Sequence, residues 1–527
     1  MITQTILKYS SIKFPEKHAV VSSSKCIKYK ELESLSNKLA ALLIEYGIKR
    51  GDKVSVYLPK SIEEVISIFA IVKAGGIFVL LNPVLKKNQV EHIINDCGIK
   101  ILISNNTKLK YINYQKHEFK SLSKLLLFEE KTDYSPHTSS EKTINVSNAI
   151  ENIEENFIQP ACVPSDLATI IYTSGATGKP KGIMTTHQNL FEGTEIISKY
   201  LDMNVNDIIL GILPFSFDYG LDQLLTSLRV GGTIVLHDFL FPEDTLKVIA
   251  EQKITGVAGV PVIWNIIAEV ENISREYKFP QLRYITNSGG KLTRQNVFKL
   301  MEIFPDAKLY LMYGLTESHR STFLDPSMVK SKPDSIGKAI PNVEVYILNE
   351  ENKPCKPGET GELVHRGALI SMGYWNDPVR TNEVFRPNPL LPEDTLQSEK
   401  VVYSGDLAKY DEEGFIYYVG RKDDMIKKMG YRVSPTEIEE AILKMKKISC
   451  VIAVCIELEN LEQDILCYVI LQKKAKCSKS EILQFLRNNI PSYMMPREIV
   501  FKESIPISPN GKIDKSSLKK EARIYVS

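Results

Sequence analysis

The chain has 527 residues, with 66 Lys or Arg against 64 Asp or Glu, and this balance leaves a formal net charge of only +2. Neither a nucleic-acid nor an anionic-membrane partner is favoured at that charge, and no apolar run approaches the roughly 20 residues needed to span a bilayer. The N-terminal stretch lacks the apolar segment of a secretory signal and the eight cysteines include no C-x-x-C pair, so we expect a soluble cytoplasmic protein without disulfides or a zinc site.

Short apolar strands alternate with amphipathic helices through the first four-fifths of the chain. A helix over 61–73 ends before a Gly-Gly pair. Strands are predicted at 53–58, 78–81, 167–171, 208–213, 233–236, 256–260, 283–286 and 308–312. This alternation predicts doubly wound α/β layers, in which ligands bind beyond the carboxyl ends of the strands. The polar segment 104–160 is predicted to be a variable excursion.

The pattern changes twice towards the C terminus. Residues 344–367 show short strands separated by Gly and Pro turns, which predicts a smaller β-rich subdomain. A second break comes at 420–424. Beyond it we predict strands at 450–456 and 465–471, a helix over 480–489, a last strand near Ile499, and an earlier helix with Ser434 as N-cap, Pro435 at N1 and Glu437 at N3. The predicted domains are 1–422 and 423–527, the second a compact α+β unit.

The segment 172–182, YTSGATGKPKG, follows the predicted buried strand 167–171. It combines hydroxyls at Thr173, Ser174 and Thr177, glycines at Gly175, Gly178 and Gly182, and the charges of Lys179 and Lys181. Glycines let backbone N–H groups approach an anion, hydroxyls donate hydrogen bonds, and lysines supply charge, so this pattern predicts a phosphate-binding loop. A flexible turn is the structural alternative. It is not a Walker A loop, because Pro180 follows Lys179 and only two residues separate Gly175 from Gly178.

This loop resembles the signature of the AMP-forming adenylating superfamily, which holds acyl-CoA synthetases, luciferases and the adenylation domains of peptide synthetases. Further motifs occur in the family's order and extend the resemblance over nearly the whole chain: YGLTE at 313–317, YSGDL at 403–407, GRKDD at 420–424 and PISPNGKIDK at 506–515. The resemblance implies an N-terminal body of layered sheets with a β-rich subdomain, which binds ATP and substrate, and a mobile C-terminal lid that carries a catalytic lysine.

The resemblance also implies where ATP and Mg²⁺ bind. The residues assigned to ATP are Thr173, Ser174, Gly175, Thr177, Gly178 and Lys181 on the β- and γ-phosphates, Gly289 and Tyr313 beside adenine, Thr316 on the α-phosphate, Asp406 on the ribose, and Arg421 on ribose or phosphate. Glu317 is assigned to Mg²⁺, which takes one or two carboxylates from a protein. Lys512 would bridge the carboxylate and the α-phosphate during attack. Asp423 would be the hinge. Tight turns, helix caps and solvated lysines are the structural alternatives.

The stretch 213–220, LPFSFDYG, resembles the peptide-synthetase element in which an aspartate binds the substrate's α-amino group. Asp218 would pair with that buried ammonium, or alternatively N-cap a helix over 219–228. Asp222, one helical turn on, would read a polar or basic side chain or pair with Arg320. The other pocket residues implied by the resemblance are Tyr219, Gly259, Ile285, Asn287, Met312 and Ser321.

The expected reaction has two steps. In the first step, a carboxylate attacks the α-phosphate of ATP to give an acyl-adenylate and pyrophosphate. The lid then rotates, which withdraws Lys512 and brings residues 430–433 to the site, and a thiol enters for the second step. The run 491–515 is most similar to peptide-synthetase domains, which favours a free-standing amino-acid-activating ligase, monomeric or homodimeric, that charges the phosphopantetheine of a separate carrier protein. The alternatives are an acyl- or aryl-CoA ligase using free CoA, with Asp218 as a cap, and a non-catalytic nucleotide-binding protein.

Overall fold

A computed structural model of the chain describes all residues except 116, 118, 129–142, 152, 156, 175–179, 271–276, 393–398, 429–430, 459–462, 509–510 and 526–527, and at 174, 427, 431 and 432 it describes only the backbone. In chain order to residue 339, its elements are α1 (Gln4–Lys13), β1 (His18–Val21), β2 (Cys26–Lys28), α2 (Tyr29–Glu45), β3 (Lys53–Tyr57), α3 (Ile62–Lys73), β4 (Ile77–Leu80), α4 (Lys87–Cys97), β5 (Ile101–Ser104), α5 (Asn106–Tyr111), β6 (Lys124–Leu127), β7 (Thr143–Asn145), α6 (Val146–Glu151), β8 (Leu167–Ser174), β9 (Pro180–Thr186), α7 (His187–Tyr200), β10 (Ile208–Gly211), α8 (Asp218–Arg229), β11 (Thr233–Leu236), α9 (Pro242–Glu251), β12 (Gly256–Gly259), α10 (Pro261–Ala268), β13 (Tyr284–Asn287), α11 (Arg294–Ile303), β14 (Lys308–Tyr313), β15 (Thr322–Leu324) and β16 (Lys338–Ala339).

The remaining elements are mostly strands as far as residue 433. They are β17 (Val343–Leu348), β18 (Gly361–Gly367), α12 (Pro378–Val384), β19 (Phe385–Pro387), β20 (Lys400–Tyr410), β21 (Ile416–Arg421), β22 (Ile426–Lys428), β23 (Tyr431–Val433), α13 (Pro435–Leu443), β24 (Ile448–Glu457), β25 (Gln463–Leu471), α14 (Lys479–Arg487), β26 (Glu498–Phe501) and α15 (Lys515–Ala522). Among these described elements, no helix is both long and apolar enough to cross a membrane.

Two large sheets form the body of the protein. One has the strand order β16-β15-β14-β13-β12-β10-β11-β1-β2, and the other has the order β7-β6-β5-β3-β4-β8-β9. Strands β10 to β14 pair in parallel, as the alternation of strands and helices predicted. Their carboxyl ends therefore lie along one edge of the sheet, where loops can assemble a site.

A continuous hydrophobic core joins the two sheets. It contains buried side chains from β3, α3, α2, α8 and β1, among them Val54, Phe69, Leu39, Leu224 and Val20. Helix α3 is buried on nearly all sides, since Glu63 is its only residue that is not buried, and its central residues are mostly apolar. This arrangement confirms the predicted layered α/β body.

A β-rich subdomain and a C-terminal unit complete the chain. Strands β17, β18, β20, β19 and β21 form an antiparallel sheet, as predicted for residues 344–367 and their surroundings. The C-terminal unit has its own core, which includes Ile426, Ile438, Val451 and Ile499. It is built on the three-stranded sheet β24-β25-β26.

Two local predictions differ from the structure. Ser434 precedes α13 with Pro435 as the first helical residue, but its hydroxyl donates to the carbonyl of Val419 at 2.8 Å and makes no cap hydrogen bond. The hydroxyl therefore ties the C-terminal unit to β21. The segment 104–160 is also more regular than expected, since it adds β6 and β7 to a sheet edge, although residues 129–142 lie outside the described part of the chain.

Candidate active site

The predicted phosphate loop connects β8 to β9 at the carboxyl end of β8. Gly175, Thr177 and Gly178 lie outside the described residues, as does Lys179, and only the backbone of Ser174 is described. The flanks of the loop form an antiparallel hairpin in which Thr173 pairs with Lys181. Below it, the Tyr172 hydroxyl donates to the Asp96 carboxylate and lies 3.3 Å from Cys97 Sγ, which anchors β8. The strand that leads into the loop is therefore anchored.

Glu317 is contacted by a tyrosine that sequence reasoning missed. The Tyr374 hydroxyl donates to Glu317 Oε1 at 2.5 Å. Burial and the Glu317 charge raise the pKa of Tyr374, so this phenol stays a donor. A backbone hydrogen bond positions Tyr374 next to Glu317. The N–H of Trp375, the next residue, donates to the carbonyl of Gly182 at 2.8 Å, and this bond attaches the turn that contains Tyr374 to β9. No local sequence signal reports such a long-range contact.

Arg380 adds a second cation beside the loop. Its guanidinium carbon lies 5.2 Å from the centre of the Tyr374 ring, and its buried Nε has no hydrogen-bond partner in the described part of the chain. Burial, and then the charge of Arg380, lower the pKa of Lys181. Lys181 and Arg380 are thus two cations near each other, and Arg380 and Glu317 both contact Tyr374, a combination of charges that suits a phosphate group with a divalent cation.

The structure also bears on whether Mg²⁺ fits here. Among the described residues, no group of three or more His, Cys, Asp or Glu side chains forms a metal site. Mg²⁺ commonly takes one or two carboxylates and completes its octahedron with phosphate and water oxygens. Glu317, oriented by Tyr374, is a suitable donor for an ion bound in that way.

Three of the predicted nucleotide residues meet at Asp406. Its Oδ2 accepts from the Tyr313 hydroxyl at 2.5 Å, and its Oδ1 accepts from Arg421 Nη1 at 3.0 Å. Asp406 and Arg421 are directly paired across β20 and β21. Burial raises the pKa of Asp406, whereas Arg421 and Tyr313 oppose that shift. The Tyr313 ring stacks on His365, with centroids 5.8 Å apart, a neighbour that the sequence did not predict.

Lys512 of the C-terminal unit lies over the turn at Gly289. That glycine has φ +80°, and a Cβ there would stand 3.3 Å from Lys512 Cε. The Lys512 ammonium is 5.3 Å from the centre of the Phe217 ring, and its charge opposes the rise in the pKa of Asp406 that burial causes. Lys512 therefore lies between Asp406 and the start of α8.

An ion pair holds the C-terminal unit in this position. Lys291, directly after the turn, is 2.5 Å from Glu440 on α13. A second pair, Lys422 with Glu362 at 2.9 Å, lies within the first domain, directly before the predicted hinge. The predicted hinge, Asp423, is exposed in a short 3-10 turn over Lys422–Asp424. Of the residues 430–433 predicted to face the site in the second step, position 430 lies outside the described residues.

Helix α8 begins at Asp218, so the predicted helix start at 219 is one residue late. Phe217 is the N-cap residue, which excludes the simple reading of Asp218 as the N-cap. The Asp218 side chain is only 8% exposed, and its Oδ1 accepts no hydrogen bond from any described residue. A buried carboxylate oxygen without a donor is costly unless a ligand supplies one.

Asp222 lies on the same face of α8 and forms an ion pair with Arg320, one of the two arrangements considered from the sequence. Asp222 Oδ2 is 3.8 Å from Arg320 Nη2, and Oδ1 is 3.4 Å from His319 Nε2. Arg320 also donates to Ser288 Oγ at 2.6 Å and lies 4.6 Å above the Tyr219 ring. His319 was not predicted, since only its tertiary position brings it here.

Of the other predicted pocket residues, Tyr219 and Met312 line a cavity together with Asp222 and Arg320, and the rest are held by contacts of their own. The Tyr219 hydroxyl bonds to Thr286 Oγ1, Met312 Sδ accepts from Tyr200, Asn287 Nδ2 donates to Gly290, and Ser321 Oγ bonds to Ser318 Oγ. Gly259 has no room for a side chain, because a Cβ would stand 2.7 Å from the Trp264 ring. Ile285 is buried in the core. A cavity of about 20 Å³ lies among Tyr219, Asp222, Met312 and Arg320.

Two family models match the chain. One, described as AMP-binding enzyme, matches residues 7–375, and the other, AMP-binding enzyme C-terminal domain, matches residues 437–512. Together they span both the sheet body and the C-terminal unit.

The similar proteins include both synthases and an acyl-CoA ligase. Tyrocidine synthase 3 of Brevibacillus parabrevis is 30% identical over 98% of this chain, which spans only 8% of that protein. A long-chain-fatty-acid–CoA ligase of Bacillus subtilis (strain 168) is 29% identical over 98% of this chain and 94% of its own length. The fold is that of ATP-bound MatB from Rhodopseudomonas palustris, with a TM-score of 0.87, 23% identity and complete coverage of both chains.

Proposed function

The chain belongs to the AMP-binding enzyme family, and we propose that it activates an α-amino acid for transfer to a thiol. In the first step, the amino acid's carboxylate oxygen attacks the α-phosphate of ATP, the bond to the β-phosphate breaks, and an aminoacyl-adenylate and pyrophosphate form. In the second step, a thiol attacks the acyl carbon and AMP leaves. The observation that carries the proposal is the buried Oδ1 of Asp218, which has no hydrogen-bond partner among the described residues and follows Phe217, the residue whose ring Lys512 approaches.

Lys512 supports the first step. Attack of a carboxylate on a phosphate brings two anions together, and a cation placed between them is most effective in a site with little water. The side chain of Lys512 lies between Phe217, which precedes Asp218, and Asp406, which would bind ribose. From there its ammonium can contact both reacting anions.

Lys181, Arg380 and Glu317 support the departure of pyrophosphate. The two cations would offset charge on the β- and γ-phosphates, and Glu317 would hold Mg²⁺, which when bound neutralises phosphate charge. Tyr374 fixes the Glu317 carboxylate through its hydrogen bond. These roles agree with the sequence-based assignment of Lys181 to the phosphates and of Glu317 to Mg²⁺, and they add Arg380 and Tyr374.

Asp218 supports an amino acid over other acids. A buried ammonium requires an anionic partner, and Asp218 offers an unpaired oxygen at a position only 8% exposed. It is not the N-cap residue of α8 and makes no cap hydrogen bond, so what remains as a structural explanation is its favourable position in the first turn of the helix. We propose the phosphopantetheine of a separate carrier protein as the acceptor, because the run 491–515 resembles peptide-synthetase domains.

Pyrophosphate exchange into ATP tests this proposal. A panel would pair each amino acid with its 2-hydroxy and deamino analogues, together with fatty and aryl acids. We expect exchange with one or a few α-amino acids and at least 100-fold weaker exchange with their analogues. Exchange only with acids lacking an amine would overturn the amino-acid assignment. No exchange with any acid would favour a non-catalytic nucleotide-binding protein.

A second candidate function is that of an acyl- or aryl-CoA ligase. It is supported by the match to a fatty-acid–CoA ligase over 94% of that enzyme's length. Incubation of the enzyme, ATP and the best acid with either CoA or a phosphopantetheinylated carrier protein, followed by mass spectrometry of the thioester, distinguishes the acceptors. Acyl-CoA as the sole thioester product would replace the carrier protein in our proposal.

A further inference from the structure

Three buried polar side chains behind Asp218 leave their hydrogen bonds incomplete. Asp222, His319 and Arg320 are 4%, 7% and 4% exposed, respectively. Asp222 Oδ1, His319 Nε2 and Arg320 Nε have no hydrogen-bond partner among the described residues. We call these three residues the Arg320 cluster.

The separations within the Arg320 cluster explain the missing bonds. His319 Nε2 lies 3.4 Å and Arg320 Nη2 lies 3.8 Å from the Asp222 carboxylate, longer than the usual N–H···O distance of about 2.9 Å. Arg320 cannot simply move closer, because its Nη1 donates to Ser288 and its guanidinium stacks on Tyr219. Buried polar atoms are rarely left unpaired, so a small polar group is expected to join them.

The space beside the cluster limits the size of that group. The cavity there measures about 20 Å³, enough for about one water-sized group, since a water needs some 10–15 Å³ on this measure. Its remaining walls are mostly apolar and include Ile197, Leu201 and Met312. Gln223 also lines the cavity, and its buried Oε1 has no hydrogen-bond partner among the described residues, so it is a further acceptor for a donating group. A long or bulky side chain does not fit without rearrangement.

The charges around the cavity limit the chemistry of the group that can bind there. The charge of Arg320 interacts with both Asp222 and Asp218, so the two carboxylates and one guanidinium leave one negative charge, which the substrate's ammonium would offset. A charged side chain would therefore add an uncompensated buried charge, and an apolar one would leave the cluster unpaired. A hydroxyl meets both requirements, because it accepts a hydrogen bond from Arg320 Nε–H and donates one to Asp222 Oδ1.

We propose that the Arg320 cluster selects an α-amino acid with a short neutral side chain that ends in a hydroxyl. This inference rests on the proposed amino-acid activation and narrows its substrate class. The arrangement does not distinguish the enantiomers, so both belong in the test.

The first experiment uses the unaltered enzyme and isosteric substrates. Pyrophosphate exchange is measured with threonine against valine and with serine against alanine, each as L and D forms. A site built to hydrogen-bond a hydroxyl rejects the analogue without it strongly, so we expect kcat/KM to favour the hydroxy amino acid at least 100-fold. Valine or alanine within threefold of its partner would overturn the inference and identify the cavity as a water site.

Other outcomes are equally informative. Preference for a large, charged or carboxamide side chain would also overturn the inference while leaving amino-acid activation intact. Exchange only with acids that lack an amine, such as 3-hydroxybutyrate, would instead refute the proposed function itself.

A double variant tests the residues directly. Asp222→Leu combined with Arg320→Met removes both charges together, which avoids a lone buried charge. We expect the preference for threonine over valine to fall at least 30-fold, with Glu251→Gln at the exposed end of α9 as the unchanged control. If the preference for threonine over valine persists in a double variant with unaltered Tm, the assignment to this cluster is wrong. The comparison of threonine with valine in the unaltered enzyme decides the substrate class even if the variant does not fold.

Discussion

Replacing Asp218 by asparagine keeps the shape of the side chain and removes its charge. Asp218 is 8% exposed and one of its oxygens has no donor, so the substrate's ammonium would face a carboxylate that water hardly reaches. Breaking a buried charge pair by removing one partner costs about 3–5 kcal/mol. Because asparagine still offers an acceptor oxygen, we expect the lower value, about 3 kcal/mol, which corresponds to a loss of kcat/KM of about 100-fold.

The assay is pyrophosphate exchange with two substrates, the best amino acid and its 2-hydroxy analogue. The Asp218→Asn variant should lose about 100-fold with the amino acid and should not lose with the analogue, which carries no ammonium to pair. Asp244→Asn is a matched control, since Asp244 is an exposed aspartate in the first turn of α9 and its replacement should change neither value.

Two results would contradict this reasoning. If Asp218→Asn retained amino-acid exchange within threefold of the unaltered enzyme, its carboxylate would not bind the ammonium. If both substrates lost activity equally, Asp218 would act by stabilising the start of α8, an effect that a lowered Tm would reveal.

Three further predictions concern the rest of the site. Lys512→Ala should slow adenylate formation about 100- to 1000-fold but leave thiol transfer from a synthetic adenylate unchanged, and an unaltered exchange rate would refute its catalytic role. Tyr374→Phe removes the donor to Glu317, so the KM for MgATP should rise about fivefold, near 1 kcal/mol, and an unchanged KM would contradict its positioning role. Burial lowers the pKa of His365 to about 3, so its contribution to stability is present above its unfolded pKa near 6.5 and is lost as the pH falls from there towards 3. His365→Phe, which keeps a ring beside Tyr313, should therefore flatten the pH dependence of the unfolding free energy measured in urea between pH 4 and 7, and parallel profiles would exclude this effect.

The strands were predictable because apolar residues run continuously between turn residues. The strand at 233–236 was predicted with its observed bounds, and that at 53–58 ends one residue early in the structure. Ends were harder to place, since they depend on tertiary contacts. Thus the hydroxyl of Ser434 meets the carbonyl of Val419, and no local capping rule predicts that.

The site was predictable where a motif supplies several residues at once. Tyr313, Asp406 and Arg421 belong to three separate motifs, and the structure brings them into one hydrogen-bonded group. Tyr374 and Arg380 were missed because they come near Glu317 and Lys181 only through the contact of their turn with β9. A long-range contact of that kind leaves no periodic or spacing signal in the sequence.

The start of α8 connects catalysis to substrate choice. Lys512 lies against Phe217, and the next residue, Asp218, offers its carboxylate to an amine. In this position of the C-terminal unit, the group that would act on the substrate's carboxylate therefore lies beside the residue that precedes Asp218. This arrangement suits an amine and a carboxylate attached to the same carbon, with the side chain extending along α8 towards Asp222. Changes at Asp222 can thus alter which side chain is accepted without moving the groups that perform the reaction.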